Sequence, residues 1–321
     1  MASLKRLLEA DPPRRIAVLR SDRVGDLILS TPFLTVLRQA YPQAHILGLT
    51  APYCRQVLQW SGLLDAQADF QAGNPWSQPL DLVIALAPRS ECLKAARRLR
   101  ARYRLGYVYR SRPLLRWFAP FLLTHYEVVE VRPPHVVPHE VEQLDRLARR
   151  LGLPSTLGQP LTVGLSAPTV PGRLVLHLGD RWLAGGWTLQ DLRCLLRGLR
   201  ELGEVKVTAG PREKQLLAGQ SLEVEGVELC LFEDNFHDWA MMLGSAEVVV
   251  SPDTGAVHLA AAMRTPVVVA YEASTYGHCS RQWAPWKIPS RSVCKTNPEE
   301  TIPQLLVAVE ELVSDSRNGA P

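Results

Sequence analysis

The sequence predicts an α/β fold of two doubly wound parallel sheets, and three features of the chain point to it. Short β-rich runs alternate with longer amphipathic segments along nearly the whole length. The 321 residues, 46% hydrophobic and 21% charged, suit a soluble protein of two domains. Between 152 and 172 stand Gly152, Pro154, Gly158, Pro160, Gly164, Pro168, Pro171 and Gly172, a density of breakers that divides one βαβ series from the next.

The first series opens with a strand at Ile16–Arg20, a helical pattern through Leu27, Leu34 and Leu37, and a strand at His45–Thr50. A strand at Leu80–Leu86, a basic helix from about Ser90 to Ala101, a strand at Leu105–Val108 and a charged helix from about His139 to Leu151 follow. Residues 152–172 read as linker plus an edge strand, giving domains 1–160 and 161–321. The second series places strands at about 173–178, 204–209, 227–231, 247–251 and 266–270, with helices near 188–202, 212–219, 236–244 and 255–263. A last helix, about 299–314, is free to return to the first domain.

Composition narrows the function classes. The longest apolar runs are about five to seven residues against the roughly 20 of a membrane-spanning helix. Met1–Pro13 is charged throughout and offers no apolar core of a secretory signal, which places the protein in the cytoplasm. Six singly spread cysteines, at 54, 92, 194, 230, 279 and 294, make no C-x-x-C pair and read as reduced, mostly buried thiols. The net charge of +4 is unevenly placed: residues 1–165 hold 22 Lys/Arg against 13 Asp/Glu, residues 166–321 hold 14 against 19. Ten cations stand within 89–116 against the single Glu91, a patch that attracts nucleic acid, phospholipid head groups or a phosphorylated substrate.

Ligands of such folds sit at the carboxyl ends of strands, so the strand-to-helix loops carry the candidates. Arg20-Ser-Asp-Arg-Val-Gly-Asp26 joins the first strand to the first helix. Asp26 there reads either as a first-turn residue answering free amides and the helix dipole, or as a general base projecting into an interdomain cleft. Neither G-x-G-x-x-G nor G-x-x-x-x-G-K-[ST] occurs in it, which disfavours a nicotinamide site and a P-loop. Val248–Ala262 runs a buried strand through Asp253-Thr254-Gly255 into a helix whose free amides suit a diphosphate. His258, one turn inside, is either structural or a hydrogen-bond partner of that anion. In His177-Leu-Gly-Asp-Arg-Trp182, Arg181 is either a surface arginine or a cation reaching the same anion. The run Leu114–Leu123, beside Arg110, Arg112 and Arg116, is either a core element or a segment that grazes a membrane.

Together, Arg20-x-Asp22-x-x-Gly25-Asp26-x-x-Leu29-x-Thr31-Pro32 and Asp253-Thr254-Gly255-x-x-His258-Leu259-Ala260-Ala261 resemble glycosyltransferase family 9, the heptosyltransferases of lipopolysaccharide core assembly. Leu80–Leu86, His139-Glu-Val-Glu142 leading to Leu151-Gly152, Gly210-Pro-Arg-Glu213 and Trp283-x-Pro285 agree in order and spacing. The resemblance implies the GT-B architecture of two facing Rossmann-like domains, with the acceptor on the first and a sugar nucleotide, usually ADP-heptose, on the second. It implies an inverting transfer with no metal and no cofactor, in which Asp26 matches the catalytic aspartate and Thr254, Gly255 and His258 stabilise the departing diphosphate. Asp253 then shapes that loop or meets donor hydroxyls. Arg20, Arg23, Arg89, Arg110 and Arg112 are the candidates for an anionic lipid-linked or oligosaccharide acceptor, and the acceptor would keep the enzyme at the cytoplasmic face of the inner membrane.

Two positions depart from the family pattern. A family run resembling G-S-x-W-x-x-K-x-W corresponds to Gly179-Asp-Arg-Trp-Leu-Ala-Gly-Gly-Trp187, so Gly185 stands in the place of a diphosphate-binding lysine. Glu272 stands where glycine is usual after the last strand identified. Arg181 takes over the lysine's charge, or the donor is held differently, or the chain binds nucleotide or glycan without transfer. A sugar-nucleotide 2-epimerase on the same architecture needs more acid–base groups than are identified, and no recognised nucleic-acid module accompanies the arginines.

Overall fold

The computed structural model describes residues 4–71, 75–76, 78–210, 213–214, 217, 222–233 and 235–319. The chain divides into two units, residues 1–164 and 165–321, the division falling inside the breaker-rich stretch. Among the described residues each unit holds one six-stranded parallel sheet.

In the first unit the strands are β1 (Arg15–Arg20), β2 (His45–Thr50), β3 (Ala66–Asp69), β4 (Leu82–Ala85), β5 (Tyr103–Tyr109) and β6 (His125–Val129), in the order β3-β2-β1-β4-β5-β6. Its helices are α1 (Leu4–Ala10), α2 (Val24–Leu29), α3 (Thr31–Ala40), α4 (Ser90–Arg98), α5 (Pro113–Leu122) and α6 (Glu140–Leu151). The single helix expected through Leu27, Leu34 and Leu37 is two. Pro32 has no N–H to give the carbonyl of Ile28, and the Thr31 hydroxyl donates to that carbonyl at 2.7 Å instead, so the ladder restarts at Thr31. The buried apolar face of β1, β2 and β4 packs on Cys92, Leu93 and Ala96 of α4.

The second unit repeats the plan with β7 (Arg173–His177), β8 (Glu204–Ala209), β9 (Val227–Leu231), β10 (Val248–Pro252), β11 (Val267–Glu272) and β12 (Ser290–Lys295), in the order β12-β11-β10-β7-β8-β9. Numbered within its unit, each sheet has the order 3-2-1-4-5-6 of a doubly wound fold, with its switch point between the first and fourth strands. The helices are α7 (Leu189–Leu202), α8 (Phe236–Gly244), α9 (Gly255–Ala262), α10 (Tyr276–Gln282) and α11 (Pro298–Arg317). The helix expected near 212–219 falls largely outside the described residues. Leu305, Val309 and Leu312 of α11 join the core that Leu192, Leu195 and Leu199 of α7 form with β7 and β10, so the last helix packs within the second unit.

The edge strand expected within 152–172 is absent. That stretch holds a 3-10 turn at Thr156–Gly158 and no strand, because Pro160, Pro168 and Pro171 offer no ladder donor and Gly164 and Gly172 turn at φ +74° and +77°. Of the six free cysteines three are buried, Cys54, Cys92 and Cys279, whereas Cys194 is exposed.

Candidate active site

In the first unit the candidate residues gather at the switch point between β1 and β4. Arg20, the last residue of β1, is 3% exposed and touches three carboxylates: Asp22 at 2.8 Å, Asp26 at 3.3 Å and Glu140 at 3.0 Å. It also donates to the carbonyl of Leu86, just past β4. Glu140 is the first residue of α6, set there by a capping box in which His139 accepts from Val141 N and Glu142 accepts from His139 N. The hydroxyl of Tyr107, in the middle of β5, donates to Glu140 at 3.0 Å. Three acids thus share one guanidinium. Burial raises the pKa of both Asp22 and Glu140 although Arg20 pulls each down, and the three acids together hold Arg20 protonated against its own burial.

Asp26 differs from its two neighbours in access. Its side chain is 19% exposed, against 6% for Asp22 and 3% for Glu140, so among these acids it is the one that meets solvent. It sits in the first turn of α2, where it also accepts from Arg23 N at 3.4 Å. The capping reading and the chemical reading of Asp26 are therefore compatible: one oxygen is tied to the turn and the other to Arg20.

The arginines expected to meet an acceptor separate into different environments. Arg20 is buried, its two terminal nitrogens donating to the Leu86 carbonyl and to Glu140. Arg89 is half exposed, between Asp22 at 3.7 Å and Glu91 at 4.0 Å. Arg23 is exposed beside Asp26. Arg112 precedes α5 and donates to the carbonyl of Pro88 at 3.0 Å, and Arg110 faces Glu130 at 3.9 Å.

In the second unit the switch point lies between β7 and β10, and Arg181 and Asp253 bridge it with an ion pair of 2.5 Å. The approach of the two loops requires glycine at 179, since a Cβ there would lie 2.9 Å from Thr254 and 3.0 Å from Pro252. Thr254 precedes α9 without capping it. Its hydroxyl turns to Ser251 Oγ at 3.1 Å and not to the first amides of α9, which leaves the helix start receptive to an anion. His258 is buried within α9. His177 closes β7, buried with its ring on the Thr208 hydroxyl at 3.1 Å, and burial pushes its pKa down to about 4.

Sequence reasoning missed Lys295, at the end of β12. Buried to 3%, its ammonium donates to the carbonyls of Trp182 and Ala184 at 3.2 and 2.7 Å and pairs with Glu272 at 2.9 Å. The two departures from the family pattern are therefore neighbours in space. Gly185 turns the chain at φ +69°, a conformation unfavourable to lysine, and a Cβ on it would lie 3.6 Å from Glu272. Here a cation from β12 braces the loop from beneath. Nothing local to Ser290–Lys295 signals this. Among the described residues no three His, Cys, Asp or Glu side chains form a metal-holding group.

The chain is similar to several known proteins. A relative from Haemophilus influenzae, provisionally assigned as a glycosyltransferase, is 23% identical over 84% of this chain and 86% of its own. The glycosyl transferase family 9 structure from Veillonella parvula superposes with a TM-score of 0.71 at 18% identity, covering 94% of this chain and 97% of that one. The E. coli ADP-heptose lps heptosyltransferase II does so with a TM-score of 0.71 at 17% identity, covering 94% and 99%. These likenesses establish the fold, the GT-B architecture of paired doubly wound sheets. Residues 174–304, from β7 into α11, match the model of glycosyltransferase family 9 (heptosyltransferase). The strand ends that carry Arg181, Asp253, Glu272 and Lys295 thus lie within the stretch of the second unit that matches the family 9 model.

Proposed function

We propose that the chain transfers heptose from ADP-heptose to a hydroxyl of a phosphorylated lipid-linked or core-oligosaccharide acceptor, in the cytoplasm, with inversion and without a metal ion or other cofactor. The observation that carries this reading is the family 9 match across the β7-to-β12 strand ends. It is supported by the name of the E. coli neighbour, an ADP-heptose enzyme acting on lipopolysaccharide.

In the proposed reaction the Asp26 carboxylate accepts the proton of the acceptor hydroxyl as its oxygen bonds to the anomeric carbon. The bond from that carbon to the diphosphate breaks on the opposite face, and the electron pair leaves with ADP. Negative charge then grows on the diphosphate. The uncapped amides at Thr254 and Gly255, with His258 and Arg181, supply fixed donors for it. Arg181 exchanges part of its contact with Asp253 for a phosphate oxygen, which leaves Asp253 able to accept from donor hydroxyls. Arg23, Arg89, Arg110 and Arg112 are assigned to the acceptor's phosphates. Gly185 favours a second reading, a chain that binds the nucleotide without transfer.

Titration calorimetry with ADP, GDP and UDP, with and without magnesium, tests the donor. The expected result is selective binding of ADP that magnesium leaves unchanged, weakened about tenfold in Arg181→Ala. Preference for UDP or GDP would overturn the donor, and ADP binding without any turnover of ADP-heptose would select the second reading.

A further inference from the structure

We propose that α5 of the first unit seats the protein on an anionic phospholipid surface, lying in the plane of the head groups. The helix presents two apolar stripes. Leu115, Ala119 and Leu122 pack on the first unit's core. Leu114, Trp117, Phe118 and Phe121 keep the i, i+3, i+4, i+7 spacing of one helix face, yet are 75%, 66%, 48% and 65% exposed. Trp117 meets Phe118 at 4.8 Å and Phe121 at 6.0 Å between ring centroids, so the face is one continuous aromatic surface. Four of the eight exposed large hydrophobic side chains among the described residues lie on this ten-residue helix. Such a concentration marks an interaction site.

Charge selects the occupant. Arg112 stands at the start of α5, Arg116 is exposed along it, and Arg104 donates to the carbonyl of Leu122 at its end at 3.1 Å. α5 contains no acidic residue. A second copy paired across a two-fold axis would set these arginines against their own equivalents with no carboxylate on the helix to answer them. An anionic bilayer satisfies both chemistries, since tryptophan and phenylalanine settle at the head-group boundary and arginines meet lipid phosphates. No helix among the described residues is long and apolar enough to cross a membrane, consistent with seating on the surface.

The position suits a lipid-anchored hydroxyl. Arg112, Pro113 and Leu114 line one hollow with Ser90, the first residue of α4. That hollow opens where β4 and β5 end, along the sheet edge that carries Asp26. This inference goes beyond the proposed donor and acceptor, and requires neither.

The test is co-sedimentation of the full chain with vesicles of phosphatidylcholine alone or with about one-third phosphatidylglycerol, at about 0.1 M salt. Binding to the anionic vesicles, at least about tenfold weaker in Trp117→Ser/Phe121→Ser, is expected. Arg116→Glu weakens binding to the anionic vesicles about fivefold. A wild-type chain that stays in the supernatant, or a double variant that sediments like wild type, overturns the proposal. So does a wild-type dimer that becomes a monomer in the double variant without vesicle binding, which assigns the face to a second copy. Thermal melts and the ADP titration on each variant separate this outcome from the functional one: a chain that binds vesicles but not ADP keeps the membrane seat and loses the donor.

Discussion

The two units share one strand order and place their candidate residues at the same topological point, yet the chemistry there is opposite in sign. At the β1/β4 switch point three carboxylates crowd one buried guanidinium, leaving excess negative charge with Asp26 at the solvent side. At the β7/β10 switch point one arginine meets one aspartate beside a helix start that Thr254 does not cap, and the Lys295–Glu272 pair of the same unit is self-neutralising. The fold supplies a place where strand-end loops converge. What that place does is set by a few side chains: the first edge suits holding a base, the second suits receiving an anion.

The largest effect expected from breaking this contrast is on Asp26. Asp26→Asn keeps the shape and, through its one carbonyl oxygen, either the contact to Arg20 or that to Arg23 N, but it cannot accept a proton. Transfer should fall about 10²–10⁴-fold in a coupled assay of ADP release, with ADP affinity within about twofold of wild type. Turnover near the wild-type rate would remove Asp26 from the mechanism. Next is Arg20→Met, which leaves Glu140 buried without its cation and Asp22 with only the half-exposed Arg89. A loss of about 3–5 kcal/mol is expected, read as a lowered unfolding midpoint in urea. The sign with pH follows from the loss of the cation: Arg20 pulls the pKa of both acids down against burial, so without it they take up protons more readily and the deficit is smaller at pH 5 than at pH 8. A deficit independent of pH would mean that these acids are neutral in the native protein.

How far the sequence discloses all this depends on where in a sheet the residues lie. The central strands β1, β4, β7 and β10, buried on both faces, read as short apolar runs and were legible at once. The strands that escaped notice, β3, β6 and β12, are all edge strands: Ala-Gln-Ala-Asp, His-Tyr-Glu-Val-Val and Ser-Arg-Ser-Val-Cys-Lys are half polar because one side of each has no neighbour. The site divides in the same way. Asp26, Arg181, Asp253 and Gly255 follow central strands and could be named from the loops alone. Glu140 reaches Arg20 across 120 residues of chain, and Lys295 reaches Ala184 across 111, distances over which no local pattern carries information. The departure at Gly185 was legible; the buried ion pair beside it was not, because it depends on the unnoticed β12.

The smallest effect expected separates the units by their response to acid. His177 is buried at the end of β7, its ring on Thr208 and 5.5 Å from that of Trp239. Burial lowers its pKa to about 4, with Asp180 pulling the other way. The unfolded chain binds that proton near pH 6.5, so between pH 6.5 and 4 it holds more protons than the native state, and stability falls as pH falls. Stability from the neutral ring is fully present above pH 6.5 and decreases by roughly 3 kcal/mol down to pH 4. His177→Gln can keep a hydrogen bond to Thr208 without titrating, and its urea midpoint should therefore drop less over that window than the wild-type midpoint. Parallel curves would show that the native ring already carries its proton, and an anion-receptive edge would then begin with a buried cation. Asp22 and Glu140 act with the opposite sign, since their stabilising contribution is greatest when protonated and is lost as pH rises through their raised pKa. Mild acid thus loosens the edge built to receive an anion while it relieves the edge built to hold a base.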